Sequence, residues 1–226
     1  MPLSAKRVAV CYDRLTIFEP NFEPNKERDV KLAVFSDIHG NLTALEAVLA
    51  DLATVGEVDQ IWCLGDLAAF GPRPQECVAR VRALKEQHGD KKFRVIGGNT
   101  DRYLVTGERF KIPPSKDASA FATYTAGLPS RDDILNWNVA QLDWENYEFL
   151  KGILGREIGT HVEGFGTIIG YHAIPGDDES MALKPDTLDE EAADALLDRQ
   201  GRLGIGGHKR QVALRSRLDE LKYELL

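Results

Sequence analysis

The sequence predicts an α/β fold in which a parallel sheet carries helices on its faces. Three observations predict it. Apolar runs of strand length recur at residues 32–35, 61–64 and 93–96, each bounded by polar or turn-forming residues. Stretches with apolar residues at helical spacing separate these runs. The order strand–helix–strand–helix–strand then requires crossover connections, which set like-directed strands side by side.

From the N-terminus, residues 7–10 have the makeup of a short strand. Pro20, Asn21, Pro24 and Asn25 break any regular element after it, and 26–29 is a charged run. Residues 1–30 are therefore read as an N-terminal extension of unassigned role, and 31–226 as the domain. The run 32–35 is a buried strand. Asn41 is placed to cap a helix in which Leu42, Leu45, Val48, Leu49 and Leu52 share one face. Residues 61–64 form the second strand, and 74–87 a helix with Cys77, Val78, Val81 and Leu84 together. Residues 93–96 form the third strand. The middle, about 117–154, is mostly helical, with 141–154 its clearest piece; Trp62, Trp137 and Trp144 read as packing residues. Segments 157–162 and 167–171 flank Glu163-Gly164-Phe165-Gly166, the pattern of a hairpin. A helix at 188–199, a strand at 203–205 and candidate final strands at 211–215 and 223–226 complete the chain.

Composition narrows the function classes. Apolar residues make up 43 % of 226, enough for a sizeable core in one domain. A net charge of -8 argues against a surface for a large nucleic-acid duplex, which needs clustered Lys and Arg. A small phosphate ester stays open as substrate, because a bound cation can supply positive charge locally. Cys11, Cys63 and Cys77 are too few and scattered for a disulfide framework or a thiolate metal site, so a reduced, cytoplasmic protein is expected. No run of eighteen apolar residues suggests a membrane span. Nothing in the sequence indicates an oligomeric state.

The chemistry sits in the loops. Each predicted strand from residue 32 to 205 is followed by a side chain able to bind a metal, apart from the first arm of the hairpin. After the first comes Ser36-Asp37-Ile38-His39-Gly40-Asn41, after the second Gly65-Asp66, after the third Gly97-Gly98-Asn99-Thr100-Asp101. His172 follows 167–171, and Gly206-Gly207-His208 follows 203–205. Carboxyl ends of parallel strands converge on one crevice in such folds. Asp37 and His39 can reach one ion from two directions, and Asp66 can bridge two ions through its two oxygens. Asn99 offers an amide oxygen, His172 and His208 imidazole nitrogens. Mixed nitrogen and oxygen donors suit Mn, Fe, Zn, Co or Ni better than Ca or Mg. Two such ions, roughly 3.5–4 Å apart, can clamp the attacking and leaving oxygens of a phosphoryl displacement and acidify a bridging water.

The series Asp37-x-His39, Gly65-Asp66, Gly98-Asn99-x-Asp101, His172 and Gly207-His208 resembles the five-block signature of the calcineurin-like metallophosphoesterases. The words FSDIHGN, GDLAAFGPRPQECV, GGNTDRYL and YHAIPGDDE resemble the small bacterial and archaeal phosphodiesterase branch. The match runs from about residue 31 to 208. Any one block is weak, whereas all five in order are specific. The resemblance implies a four-layer α/β/β/α sandwich, with the completeness of the second sheet at the C-terminus left open. It implies a dinuclear centre in which Asp37 and His39 bind the first ion, Asp66 bridges, and Asn99, His172 and His208 bind the second. The activity implied is hydrolysis of phosphate mono- or diesters by a metal-bridging hydroxide attacking in line.

Three departures bear on that expectation. The family's Gly-His-x-His is Gly207-His208-Lys209-Arg210 here, and arginine cannot coordinate, which weakens the first metal site. The proton-donating His that follows the Asn in larger relatives is Thr100. The family's further strands and Asn-Pro-Gly-Ser turn are not found in the eighteen residues after His208. Asn99 and Asp101 are the candidate catalytic residues, with Asp101 alternatively orienting the Asn99 loop. Arg102 and Arg210 are candidates for phosphate contact, with a plain surface salt bridge as the rival account for Arg102 and a solvated charged turn for Arg210. The rival to the enzyme as a whole is a phosphoesterase-like scaffold that has lost activity and acts as a binding module.

Overall fold

The computed structural model describes residues 8–9, 30–109, 114–183, 187, 201–208 and 214–216. Its first sheet contains β1 (Val8–Ala9), β2 (Val30–Phe35), β3 (Gln60–Cys63) and β4 (Phe93–Val95), in that order and all parallel. α1 (Leu42–Thr54) joins β2 to β3, and α2 (Pro74–His88) joins β3 to β4. α3 (Asn99–Thr106), α4 (Ala118–Gln141) and α5 (Trp144–Ile153) follow. The expected strand at 7–10 is thus present as β1, paired through Val8 to Val30.

Alternation along the strands explains the layering. Ala33 and Phe35 of β2, Ile61 and Cys63 of β3, and Phe93 and Val95 of β4 face one way, into a core shared with Leu45, Cys77, Val78, Val81 and Leu84 of the helices. Leu32, Val34, Trp62, Leu64 and Ile96 face the other way. Period-two alternation with both faces apolar is what a strand covered on two sides requires.

A second sheet covers that other face. β5 (Ile158–Val162) and β6 (Gly166–Tyr171) form the expected antiparallel hairpin, β7 (Leu203–Gly206) lies parallel to β6, and β8 (Leu214–Ser216) lies antiparallel to β7. Ile158, Val162, Ile168, Leu203 and Ile205 pack between the sheets. Gln60 Nε2–H donates to Thr160 Oγ1 at 3.1 Å, and Arg94 donates to the Gly159 carbonyl, tying the sheets at their polar margin. Hydrophobic alternation alone indicated only the first sheet, whereas the described residues form two four-stranded sheets. The expected helix at 188–199 and strand at 223–226 lie outside the described residues.

Two local expectations are corrected. The helical piece 141–154 is broken: α4 ends at Gln141, and Asp143 starts α5 by accepting the Asn146 N–H at 2.8 Å. Of the tryptophans only Trp62 is core; Trp137 and Trp144 are exposed, and Trp144 stacks on Tyr147 one turn along α5. Among the described residues no helix is long and apolar enough to cross a membrane.

Trp62 fixes the spacing of the sheets. Its ring is fully buried, its Nε1–H donates to Gln60 Oε1 at 2.9 Å, and a Cβ on Gly170 of β6 would lie 2.8 Å from its Cε3. Only a residue without a side chain fits there. Trp62→Ala should cost about 3–5 kcal/mol, read as a lowered midpoint in urea unfolding.

Candidate metal centre

Strand register sets up the site. Phe35, Cys63 and Val95 end their strands side by side, and Tyr171 pairs with Gly206. The loops that follow therefore leave together. The ladder continues into them: Asp37 N–H donates to the Gly65 carbonyl at 3.0 Å, and His39 N–H to the Asp66 carbonyl at 2.9 Å. His208 N–H donates to Asp37 Oδ2 at 3.0 Å, which joins the second sheet's loop to the first.

Backbone strain concentrates here. Asp37, His39, Asp66 and His208 have φ of 57°, 46°, 56° and 65°. Left-handed backbone is uncommon outside glycine, costs of order 1 kcal/mol or more per residue, and gathers at functional sites.

All six candidate ligands come together. Asp66 is buried, and its two oxygens have separate duties. Oδ1 accepts the Thr100 N–H at 2.9 Å and the Thr100 hydroxyl at 2.7 Å. Oδ2 lies 3.6 Å from His39 Nε2 and 3.4 Å from His172 Nε2. Thr100 thus bonds one of the two oxygens expected to bridge, and Oδ2 lies nearer to both histidines. His39 Nε2 is also 3.8 Å from Asp37 Oδ1. His172 Nε2 lies 3.2 Å from Asn99 Oδ1 and 3.2 Å from His208 Nδ1, which is 2.9 Å from Asn99 Oδ1. Ligand atoms of Asp37, His39 and Asp66, and of Asp66, His172 and His208, form two groups that share Asp66, each within 4.8 Å.

The donor set fits a cation. His172 Nδ1 is 2.6 Å from the Leu64 carbonyl, which places its proton there and leaves Nε2 as a lone pair; metal-binding histidines are commonly oriented by such a contact. Asp66 Oδ2, Asn99 Oδ1 and His172 Nε2 then present lone pairs to one small space, an arrangement that repels itself without a positive charge between them. Without an ion, a proton on His172 Nε2, 3.4 Å from Asp66 Oδ2, supplies that charge, and an ion would have to displace it. Burial works to lower the His172 pKa, but Asp66 and Asp37 outweigh it and push it up to about 9. Burial works to raise that of Asp66, yet His172, His39 and Thr100 hold it well below the usual carboxylate range.

The other candidates lie differently. Asp101 is buried at the start of α3 and accepts backbone N–H groups of Gly98 at 3.0 Å, Leu67 at 3.0 Å and Ala68 at 3.2 Å. It clasps the loops after β3 and β4 and does not face the ligand space. Arg102 points away into carboxylates: its guanidinium pairs with Asp178 at 2.9 Å, Glu179 at 2.8 Å and Glu108. Lys209 and Arg210 lie outside the described residues. Sequence reasoning missed the positive role of Thr100, which had registered only as the replacement of a His. Gly98, one of the loop glycines that allow close backbone approach, leaves no room for a side chain: a Cβ there would lie 2.2 Å from Asp66 Oδ1.

These five loops around a shared aspartate carry the pattern of a phosphoesterase family, and comparison agrees. Residues 30–208 match the calcineurin-like phosphoesterases, and the chain belongs to that family. An uncharacterised protein of Methanocaldococcus jannaschii is 51% identical over 75 residues, covering 32% of this chain and 30% of that protein. A symmetrical bis(5'-nucleosyl)-tetraphosphatase of Pectobacterium carotovorum is 32% identical over 103 residues, covering 45% of this chain and 34% of that enzyme. The matches thus span about a third of the length of these relatives. Among solved structures, a metallophosphoesterase from Sphaerobacter thermophilus superposes with a TM-score of 0.51 at 27% identity, over 78% of this chain and 59% of that one. A hypothetical protein from Pyrococcus horikoshii, at 19% identity and a TM-score of 0.56 over 76% of this chain and 67% of that one, shares the fold.

Proposed function

We propose that the chain hydrolyses a small phosphate mono- or diester at this centre. The observation that carries the proposal is the convergence of Asp66 Oδ2, Asn99 Oδ1, His172 Nε2 and His208 Nδ1 on one space, in a chain of this family. Asp37, His39 and Asp66 would hold one divalent ion, and Asp66, Asn99, His172 and His208 a second. Mn, Fe, Zn, Co or Ni suits such donors. Bound there, the ions supply Lewis acidity toward phosphoryl oxygens and water.

The chain's own residues do the positioning. Thr100 holds Asp66 so that Oδ2 faces inward, and the Leu64 carbonyl sets the His172 ring. Asp101 acts as a positioning residue for the Asn99 loop. The Asn99 amide would stabilise charge developing on the phosphoryl oxygens. With Thr100 in place of a His, solvent protonates the leaving group, so esters of acidic alcohols react fastest. Substrate enters where His39 and Asp37 are partly exposed. The catalytic unit is 31–226, with 1–30 an extension that adds β1. Cys63 and Cys77 are buried and unpaired, and burial pushes the Cys77 thiol up to about 12; a reducing cytoplasm suits them.

The test is metal content together with Mn²⁺-dependent cleavage of bis-p-nitrophenyl phosphate. Two ions per chain and turnover are expected. No turnover with any divalent ion would leave the binding scaffold as the better account. Thr100→Val, which removes only the hydroxyl on Asp66 Oδ1, should weaken metal affinity about tenfold or more, measured by competition with a chromogenic chelator.

A further inference from the structure

The loop after Asp66 carries a conformation that ion binding does not require. Ala69 and Phe70 follow one another with φ of 70° and 64°. Two non-glycine residues in succession hold left-handed backbone only where their surroundings over-determine it. Here they do. Asn138 of α4, itself fully buried, accepts the Ala69 N–H on Oδ1 at 3.1 Å and donates its amide to the Ile134 carbonyl at 2.9 Å. Gly71 N–H turns back to the Ala69 carbonyl at 2.8 Å, and Arg73 N–H donates to the Gly40 carbonyl at 3.0 Å. Gly71 packs against the His39–Gly40 backbone so closely that a Cβ there would lie 2.0 Å from the His39 carbonyl oxygen.

What this bracing presents is an apolar ring. Phe70 is 48% exposed, and its ring centroid lies 5.4 Å from that of His39, with the planes at 59°. It stands beside the ligand whose side chain is 33% exposed, on the open side of the centre, while His172 closes the other. A side chain that only buttressed His39 would gain by being covered. Instead an exposed aromatic ring stands beside His39, a candidate metal ligand, on backbone held by Asn138 and the His39–Gly40 segment.

We infer that Phe70 is a stacking platform for a planar aromatic group on the phosphate-bearing ligand, with a nucleobase as the chemistry that fits. The inference rests on a phosphate occupying the centre, and so on the proposed function. Stacking of a base on an exposed aromatic ring contributes roughly tenfold or more in affinity and tolerates any base, since every base has a flat face.

The experiment is calorimetric titration of Mn²⁺-loaded protein with adenosine 5′-monophosphate and with ribose 5-phosphate, which share the phosphate and differ by the base. The wild type should bind the nucleotide about tenfold more tightly. Phe70→Leu, similar in bulk but without a flat face, should bring the two affinities together, and Phe70→Trp should keep them apart. Metal content measured on each variant shows that the centre is intact. Equal affinities in the wild type, or a preference that survives Phe70→Leu, would overturn the inference. Turnover of bis-p-nitrophenyl phosphate without a base preference removes this inference and leaves the hydrolase. A Phe70-dependent base preference without turnover removes the hydrolase and leaves the platform.

Discussion

Asp66→Asn should abolish ion binding and lower turnover by at least about a thousandfold, while the protein stays folded. The size follows from the place of the side chain. Asp66 is the residue shared by both ligand groups, with Oδ2 near both His39 and His172, so a neutral amide there weakens both at once. A catalytic ion contributes several kcal/mol to the transition state, and a thousandfold is ~4 kcal/mol. The fold should survive because Asn can still accept the Thr100 N–H and hydroxyl that Oδ1 accepts now. Metal analysis and bis-p-nitrophenyl phosphate turnover check the first half, and circular dichroism the second. Retention of two ions would contradict the shared role of Asp66.

Gly98→Ala should be nearly as damaging although Gly98 is not itself a candidate ligand. The backbone there is extended, with φ −99°, so no conformational preference is broken. The damage is steric. A Cβ would lie 2.2 Å from Asp66 Oδ1, 2.6 Å from His172 Cε1 and 2.7 Å from the Asp66 backbone nitrogen. Two candidate ligands and the loop after β3 must move, and overpacking of this kind costs about 1–3 kcal/mol. Displaced ligands should also lose metal affinity by about a hundredfold, since positioning faults at such sites cost 10–100-fold. Gly152→Ala supplies the opposite case: a Cβ there meets nothing within 4 Å in the helix α5, and the substitution should stabilise by about 0.5–1 kcal/mol. Thermal melts of the two variants should therefore diverge in sign, and metal titration should change for Gly98→Ala alone.

Much of the first sheet and all six candidate ligands could be read from the sequence, because short-range signals carry them. Apolar runs name β2, β3 and β4, Asn41 caps α1 as its position predicts, and the ligands sit directly after strands. What escaped depends on contacts distant in the chain. The second sheet joins β6 to β7 across more than thirty residues, and period-two alternation in short strands does not show which face they share. Asn138 clamps Ala69 from 69 residues away, and nothing local distinguishes it from a surface Asn on a helix. Trp144 is exposed because the chain breaks at Leu142 and Asp143, which rotates α5 away from the face a continuous helix would present. Phe70 was visible only as part of a motif; its left-handed backbone and its place beside His39 appear in three dimensions alone.

Strain and burial divide the work of the site. His172, Asn99 and Asp66 are deeply buried and set by Leu64, Thr100 and Asp101, which makes that half rigid before any ligand arrives. Asp37, His39 and Phe70 form the half open to solvent, on left-handed backbone fixed by neighbouring loops. On the proposed function, chemistry would be held on the buried side and selection on the exposed one.

Anomalous diffraction from crystals grown with Mn²⁺ probes the shared-aspartate centre most directly. Two peaks are predicted flanking Asp66 Oδ2, one against Asp37 and His39, the other against Asn99, His172 and His208. A map with no anomalous peak there, and with a protonated His172 ring bonded straight to Asp66, would contradict it.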